Sequence, residues 1–265
     1  MLTSQARPVL GLVSCVMAAS LLAGCTDDAE PTTTSSSSSP TVSSAGPASS
    51  TGAPATTTAS ASPTVTLPTV AEVYRDARTS ALAAQSGSAV GTVTGDGTRL
   101  RIDVSGLANG SNQKVFITTP DGGTAEVLTI GDSYWIGGDE AYWAEATGDA
   151  TAAKSLVGKY APITESDATE LGSFRLRDIL TDLFELPELG VLESNTGPAR
   201  RTEVDGRAVY VLGREGGPRL WVAADGSGTL LRAVGAKSEP TDLTFSDWDR
   251  ARTFTAPPAS KLLEN

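Results

Sequence analysis

From Thr69 onward the chain switches between two hydrophobic periods. Val70, Val73, Tyr74, Ala77, Ala81 and Leu82 recur at helical spacing behind a Thr69-x-x-Glu72 capping box, which predicts an amphipathic helix ending at Ser86-Gly87. The period then falls to two. Leu100, Ile102 and Val104 alternate with Arg99, Arg101 and Asp103, with turn residues Gly95-Asp96-Gly97 before them and Asn109-Gly110 after. Further strands are predicted from Lys114 to Thr119, from Thr124 to Ile130 and at Tyr134-Trp135-Ile136, with turns at Pro120-Asp121-Gly122-Gly123 and Gly131-Asp132. This is an antiparallel meander with one wet face.

Between Ala150 and Leu192 the helical period returns. Ala153, Leu156, Val157 and Tyr160 predict a short helix. Phe174, Leu176, Ile179, Leu180, Leu183 and Phe184 predict a stronger one, stopped by Pro187 and Gly190. A second meander follows: Arg200 to Val204, an Asp205-Gly206 hairpin, Arg207 to Leu212, Leu220 to Ala223, an Asp225-Gly226 turn, Thr229 to Val234, and Leu243 to Phe245. The fold class expected is α+β, a single domain over 69–265 with a strongly curved antiparallel sheet, a half-barrel, and helices packed on its concave face. Helices packed flush would fill the space under the sheet, and helices standing off would leave an apolar hollow. Periodicity does not separate the two.

Residues 1–68 have no such pattern. Arg7 precedes an apolar run from Val9 to Leu22, too short for a comfortable membrane span, and the run ends in Leu22-Ala23-Gly24-Cys25. That ending resembles the lipobox of bacterial lipoproteins, which implies an export signal over 1–24 and a mature chain that begins at a lipid-modified Cys25. A retained anchor and an unlipidated secretory signal are the alternatives. Several acyl chains on Cys25 would hold the protein at the membrane without a spanning helix, since each buried methylene contributes about 0.8 kcal/mol. Residues 26–68 are almost wholly Ser, Thr, Pro, Ala and Gly, too poor in apolar bulk to order themselves, and read as a tether. As a flexible coil of about 43 residues it would span roughly 35–40 Å.

Charge and composition narrow the chemistry. With 20 Lys+Arg against 31 Asp+Glu the net charge is -11 and the pI near 4.5, which disfavours nucleic acid as a partner. The chain has no His, so His-based general bases, His metal ligands and Ser-His or Cys-His pairs are excluded. Its two Cys are Cys15, inside the signal, and Cys25, so the folded domain has neither disulfide nor thiolate. No metal, no cofactor and no enzymatic activity are expected. Arg200, Arg201, Arg207 and Arg214 admit two readings, a phosphate site or solvated strand-face charges. Tyr134, Trp135, Tyr142 and Trp143 read as one aromatic hairpin, either packed across strands or forming a rim for a sugar or headgroup.

The lipobox, the Ser/Thr tether, the helix before Ser86-Gly87-Ser88, Tyr134-Trp135-Ile136 followed by Ala141-Tyr142-Trp143, Gly158-Lys159-Tyr160, Phe245-Ser246-Asp247-Trp248 and Ala256-Pro257-Pro258 together carry a likeness. They resemble the LppX/LprAFG family of actinobacterial cell-envelope lipoproteins, whose fold is similar to that of the lipoprotein carrier LolA. The resemblance implies an extracytoplasmic, membrane-anchored monomer that takes an acyl lipid or glycolipid in a hydrophobic cavity and acts as its carrier. The positions expected to face that cavity are Leu100, Ile102, Val104, Val115 and Ile117 of the first meander and the helical stripe Phe174, Ile179, Leu180, Leu183 and Phe184. With five Phe and two Met in the whole chain, bulky fillers for such an interior are scarce. The competing reading is an adhesion or assembly module with a filled core.

Overall fold

The computed structural model describes residues 67–264, apart from 96, 121, 171–173 and 239. Cys25, the export signal, the tether up to Thr66 and the turn residue Asp121 lie outside these residues. The first helix, α1 (Val70–Ala83), begins as its sequence predicts. Thr69 Oγ1 accepts from the Glu72 N–H at 3.2 Å and the Glu72 carboxylate accepts from the Thr69 N–H at 2.8 Å. Those hydrogen bonds hold the Glu72 carboxyl below its ordinary range.

The first meander is β1 (Ser86–Gly95), β2 (Thr98–Leu107), β3 (Asn112–Thr118), β4 (Thr124–Ile130) and β5 (Ser133–Gly138). Helices α2 (Glu140–Thr147) and α3 (Ala150–Leu156) follow, then a short strand β6 (Ala161–Ile163) that no periodicity announced, and α4 (Glu165–Glu170). The stronger predicted helix is α5 (Leu176–Glu185), followed by the one-turn α6 (Pro187–Gly190). The second meander is β7 (Arg200–Val204), β8 (Arg207–Gly213), β9 (Arg219–Ala223), β10 (Leu230–Val234) and β11 (Asp242–Ser246).

The two meanders form one open antiparallel sheet of eleven strands in the order β6-β5-β4-β3-β2-β1-β11-β10-β9-β8-β7. The join is the β1–β11 pair, whose register sets Ala89 opposite Phe245 and Gly91 opposite Leu243. One row of paired positions runs Leu212, Leu220, Ala233, Leu243, Gly91, Ile102, Ile117, Ala125 and Gly138 across nine strands. A neighbouring row runs Ala89, Val104, Val115, Val127, Ile136 and Ala161, all buried. These rows are the helix-covered inner face. Ala233, Gly91, Ala125 and Gly138 interrupt the larger side chains of the first row, which leaves hollows for the helices to enter.

The helices are fastened to each other and to the sheet by specific bonds. Tyr74 of α1 is wholly buried, donates its hydroxyl to the Phe184 carbonyl at 3.2 Å and meets the Phe184 ring edge-on at 5.8 Å. The Arg177 guanidinium of α5 donates to the Leu82 and Ala84 carbonyls at the end of α1, which has no basic residue in its own last turn. Tyr142 of α2 lies directly on Gly138, where a Cβ would come within 2.2 Å of its ring.

Two expectations are corrected here, and one holds. Tyr142 and Trp143 are not in a hairpin with Tyr134 and Trp135, because Asp139 starts a helix between the pairs. Its Oδ1 accepts from the Tyr142 N–H at 2.8 Å and its Oδ2 from the Thr124 N–H at 3.0 Å, so one carboxylate caps α2 and ties it to β4. Pro187 does stop α5, since Leu186 before it takes non-helical backbone, and it then opens α6, where a missing N–H leaves nothing unpaired. Tyr160 lies past α3 and donates from its N–H to the Lys261 carbonyl.

The Asp139 cap gives a prediction with a pH signature. Burial tends to raise its pKa, but hydrogen bonds from the Tyr142, Thr124 and Ala141 N–H groups outweigh that and hold the carboxyl below its usual range. A folded pKa depressed in this way contributes stability above the unfolded value, lost as the pH falls through the folded one. Asp139→Ala is expected to cost about 2 kcal/mol at neutral pH and progressively less below about pH 4. Urea midpoints of both chains, taken at neutral pH and at low pH, measure this.

Candidate functional site: the two faces of the sheet

All ten residues predicted to face a cavity come together. Ile102, Val104, Val115, Ile117, Leu180, Leu183 and Phe184 are buried members of one hydrophobic cluster between sheet and helices, and Leu100, Phe174 and Ile179 are half-buried and pack against it. Phe174 is corrected in one respect: it precedes α5 in extended chain and is not part of the helical stripe. Gln113 explains its place, since this buried inner-face side chain donates from Nε2 to the Phe174 carbonyl at 3.0 Å. The Gln113 Oε1 and the Trp143 Nε1 are buried with no hydrogen-bond partner among the described residues. The pattern flagged neither polar atom, because both belong to residues that occupy strand or helix positions in register with apolar neighbours.

Ile179, Phe174 and Leu100 share their half-burial with Val93, Leu82 and Leu186, which also border the cluster. Helix α5 packs with Leu176, Leu180, Leu183 and Phe184 on its buried side. On its other side Asp182 has its carboxyl raised, by burial first and then by the charges of Asp178 and Glu185.

The opposite face of the sheet carries different chemistry. Two open concavities lie there, about 830 Å³ and about 430 Å³, with Val90 in the wall of both. The larger is walled by Arg99 and Arg101 of β2, by Trp221, Arg232 and Asp242 across β9 to β11, and by Val204, Asp205 and Arg207 at the β7–β8 turn. Strands β2 and β7 are six places apart in the sheet, about 29 Å if it were flat. Sharing one concavity requires the sheet to bend between them. Val209, Val211 and Ala223 are accordingly buried here, outside the inner cluster.

In the smaller concavity the C-terminal segment crosses the strands. Phe254 exchanges hydrogen bonds with the Asn112 side chain at 2.7 and 2.9 Å, and Lys114 Nζ sits over both the Phe116 and Phe254 rings. Lys114 also pairs with Glu126, which accepts from the Tyr160 hydroxyl at 2.8 Å. Burial, this hydrogen bond and the Glu126 charge push the Tyr160 phenol up to about 12. Of the four arginines read from sequence as a cluster, only Arg207 lines the groove, paired with Asp225, while Arg200, Arg201 and Arg214 are exposed elsewhere.

No family model matches the chain and no curated protein matches it. Solved structures do. LprF from Mycobacterium bovis aligns with 72% of this chain and 99% of its own at 17% identity and a TM-score of 0.45. The lipoprotein LppX from Mycobacterium tuberculosis aligns with 68% of this chain and 94% of its own at 20% identity and a TM-score of 0.38. Both are neighbours from the LppX/LprAFG family that the sequence resembles. MucB aligns with 74% of this chain and 62% of its own at 12% identity and a TM-score of 0.27. Among the described residues no helix is long and apolar enough to cross a membrane, and no three acidic side chains are placed to hold a metal.

Proposed function

We propose that this protein is a non-enzymatic lipoprotein, anchored through acylated Cys25 at the outer face of the cell membrane, that binds the acyl chain of a lipid or glycolipid between α5 and the inner face of the sheet. The observation that carries the reading is the apolar seam. Leu100, Phe174 and Ile179 touch the core yet stay partly open to water, as do Val93, which pairs with Leu100, and Leu82 and Leu186. Apolar surface left in water costs about 25 cal/mol per Å², and an acyl chain laid along the seam recovers it. The described interior is packed by side chains, so loading requires α5 to move outward from the sheet. The residues best placed to feel that movement are Ile179 and Phe174, with the unpartnered Gln113 Oε1 available to a polar group at the end of the chain.

The test is native mass spectrometry of the mature chain carrying Cys25→Ser, made in an envelope-bearing host, followed by organic extraction and by titration with cis-parinaric acid. The expected result is a stoichiometric acyl lipid and saturable parinaric acid binding, both lost in Ile179→Lys while the thermal midpoint stays within a few degrees. Half-buried Ile179 tolerates a lysine, whose ammonium can reach water. A lipid-free mass together with absent parinaric acid binding would sink the reading.

A second reading, an envelope adhesion or assembly module, is favoured by one observation: both open concavities lie on the face away from the helices.

A further inference from the structure

The face opposite the helices concentrates positive charge in an acidic chain. Seven cationic side chains and four carboxylates line its two adjoining concavities, against a net charge of -11 for the whole protein. Several of the cations are already engaged: Arg232 makes a two-pronged pair with Asp242 at 2.8 and 2.6 Å, Arg207 meets Asp225, and Lys114 meets Glu126. Arg101, Arg250 and Arg252 have no ion pair among the described residues. Trp221 has the Arg219 and Arg232 guanidiniums each 5.1 Å from its ring centroid, and the Arg219 Nε is buried without a hydrogen-bond partner.

We propose that this groove binds a strand of anionic glycan. Guanidinium groups donate to carboxylate or phosphate oxygens in paired hydrogen bonds, so Arg101, Arg250 and Arg252 supply the anion contacts. Asp103, Asp205 and Asp247, set among them in the groove walls, accept from sugar hydroxyls and would repel a continuous layer of phosphates. The shape agrees. The cations stand in concavities bounded by the β7–β8 turn and by the crossing C-terminal segment, which an extended polymer can enter and a flat bilayer surface cannot. The site is on the other side of the sheet from the lipid seam and is independent of it.

The experiment measures fluorescence anisotropy of labelled oligogalacturonate and of labelled phosphorylated mannan with the mature Cys25→Ser chain, at low and at physiological salt. Dextran and vesicles of mixed phosphatidylglycerol and phosphatidylcholine serve as comparisons. Arg101→Gln with Arg252→Gln is compared with Arg201→Gln, an exposed position in register with core-packed Tyr210 and therefore on the helix side. At least one anionic glycan is expected to bind in a salt-sensitive way, weakened about tenfold by the groove pair and unchanged by Arg201→Gln, with dextran inert and all chains unfolding at the same temperature. Arg101 and Arg252 are exposed, so folding is retained. The proposal is overturned if neither anionic glycan binds, if dextran binds equally, if Arg201→Gln weakens binding as much, or if only the anionic vesicles respond to the groove substitutions.

Discussion

Gly91→Ala is expected to destabilise the protein by about 3 kcal/mol or more and to make it prone to aggregation. Gly91 pairs with Ile102 on one side and Leu243 on the other, at the one junction where the two meanders meet. A Cβ placed there would lie 1.8 Å from the Asp242 carbonyl oxygen and 3.0 Å from the Leu243 Cα. Both atoms are backbone, so no side chain can swing aside to relieve the clash. Either β11 shifts away and its ladder to β1 weakens, or the strands separate and expose two unpaired edges. A Gly→Ala change at an open turn such as Gly148, where nothing lies within 4 Å of the added Cβ, escapes this clash. Urea unfolding of the Gly91→Ala chain beside wild type measures the difference, and a change under 1 kcal/mol would mean that the junction is far more pliable than the close approach indicates.

Tyr74→Ala should cost still more, about 3–5 kcal/mol, because it removes a wholly buried aromatic ring from the contact between α1 and α5. The ring is lost together with its edge-on contact to Phe184 and its hydrogen bond to the Phe184 carbonyl. Tyr74→Phe keeps the ring and is expected to cost about 1 kcal/mol, the net worth of one hydrogen bond. Thermal unfolding separates the two substitutions. The comparison also bears on lipid loading, since a chain in which α5 is held less firmly should exchange cis-parinaric acid faster. If Tyr74→Phe raises that exchange rate while barely shifting the midpoint, movement of α5 controls access to the seam.

Local patterns made much of this legible. The capping box at Thr69 and Glu72, the alternation in β2, the Asp205-Gly206 hairpin and the stripe on α5 depend on neighbours within a few residues, and each forms where its residues predict. The misreadings occurred where a single side chain acts at a distance. Asp139 caps α2 through the Tyr142 N–H and is tied in place by the N–H of Thr124, fifteen positions earlier, and Gln113 donates to the Phe174 carbonyl from sixty-one positions away. Neither partner is marked by any period.

What the sequence determined by itself was most of the elements, the apolar face of strands such as β2, and the absence of His and of thiol chemistry from the folded domain. It also set the acidic balance and the lipobox-like Cys25. The tertiary structure decided the rest. The pairing of β1 with β11, more than 140 positions apart, fuses two meanders that periodicity shows only as separate. That one non-local pair places the arginines of β2 and Arg207 of β8 around a common groove, although four intervening strands separate them in the sheet. The strand pattern records which residues face outward. It holds no information on how far the sheet curls, because curl is the sum of small twists between strands whose order only the folded chain establishes.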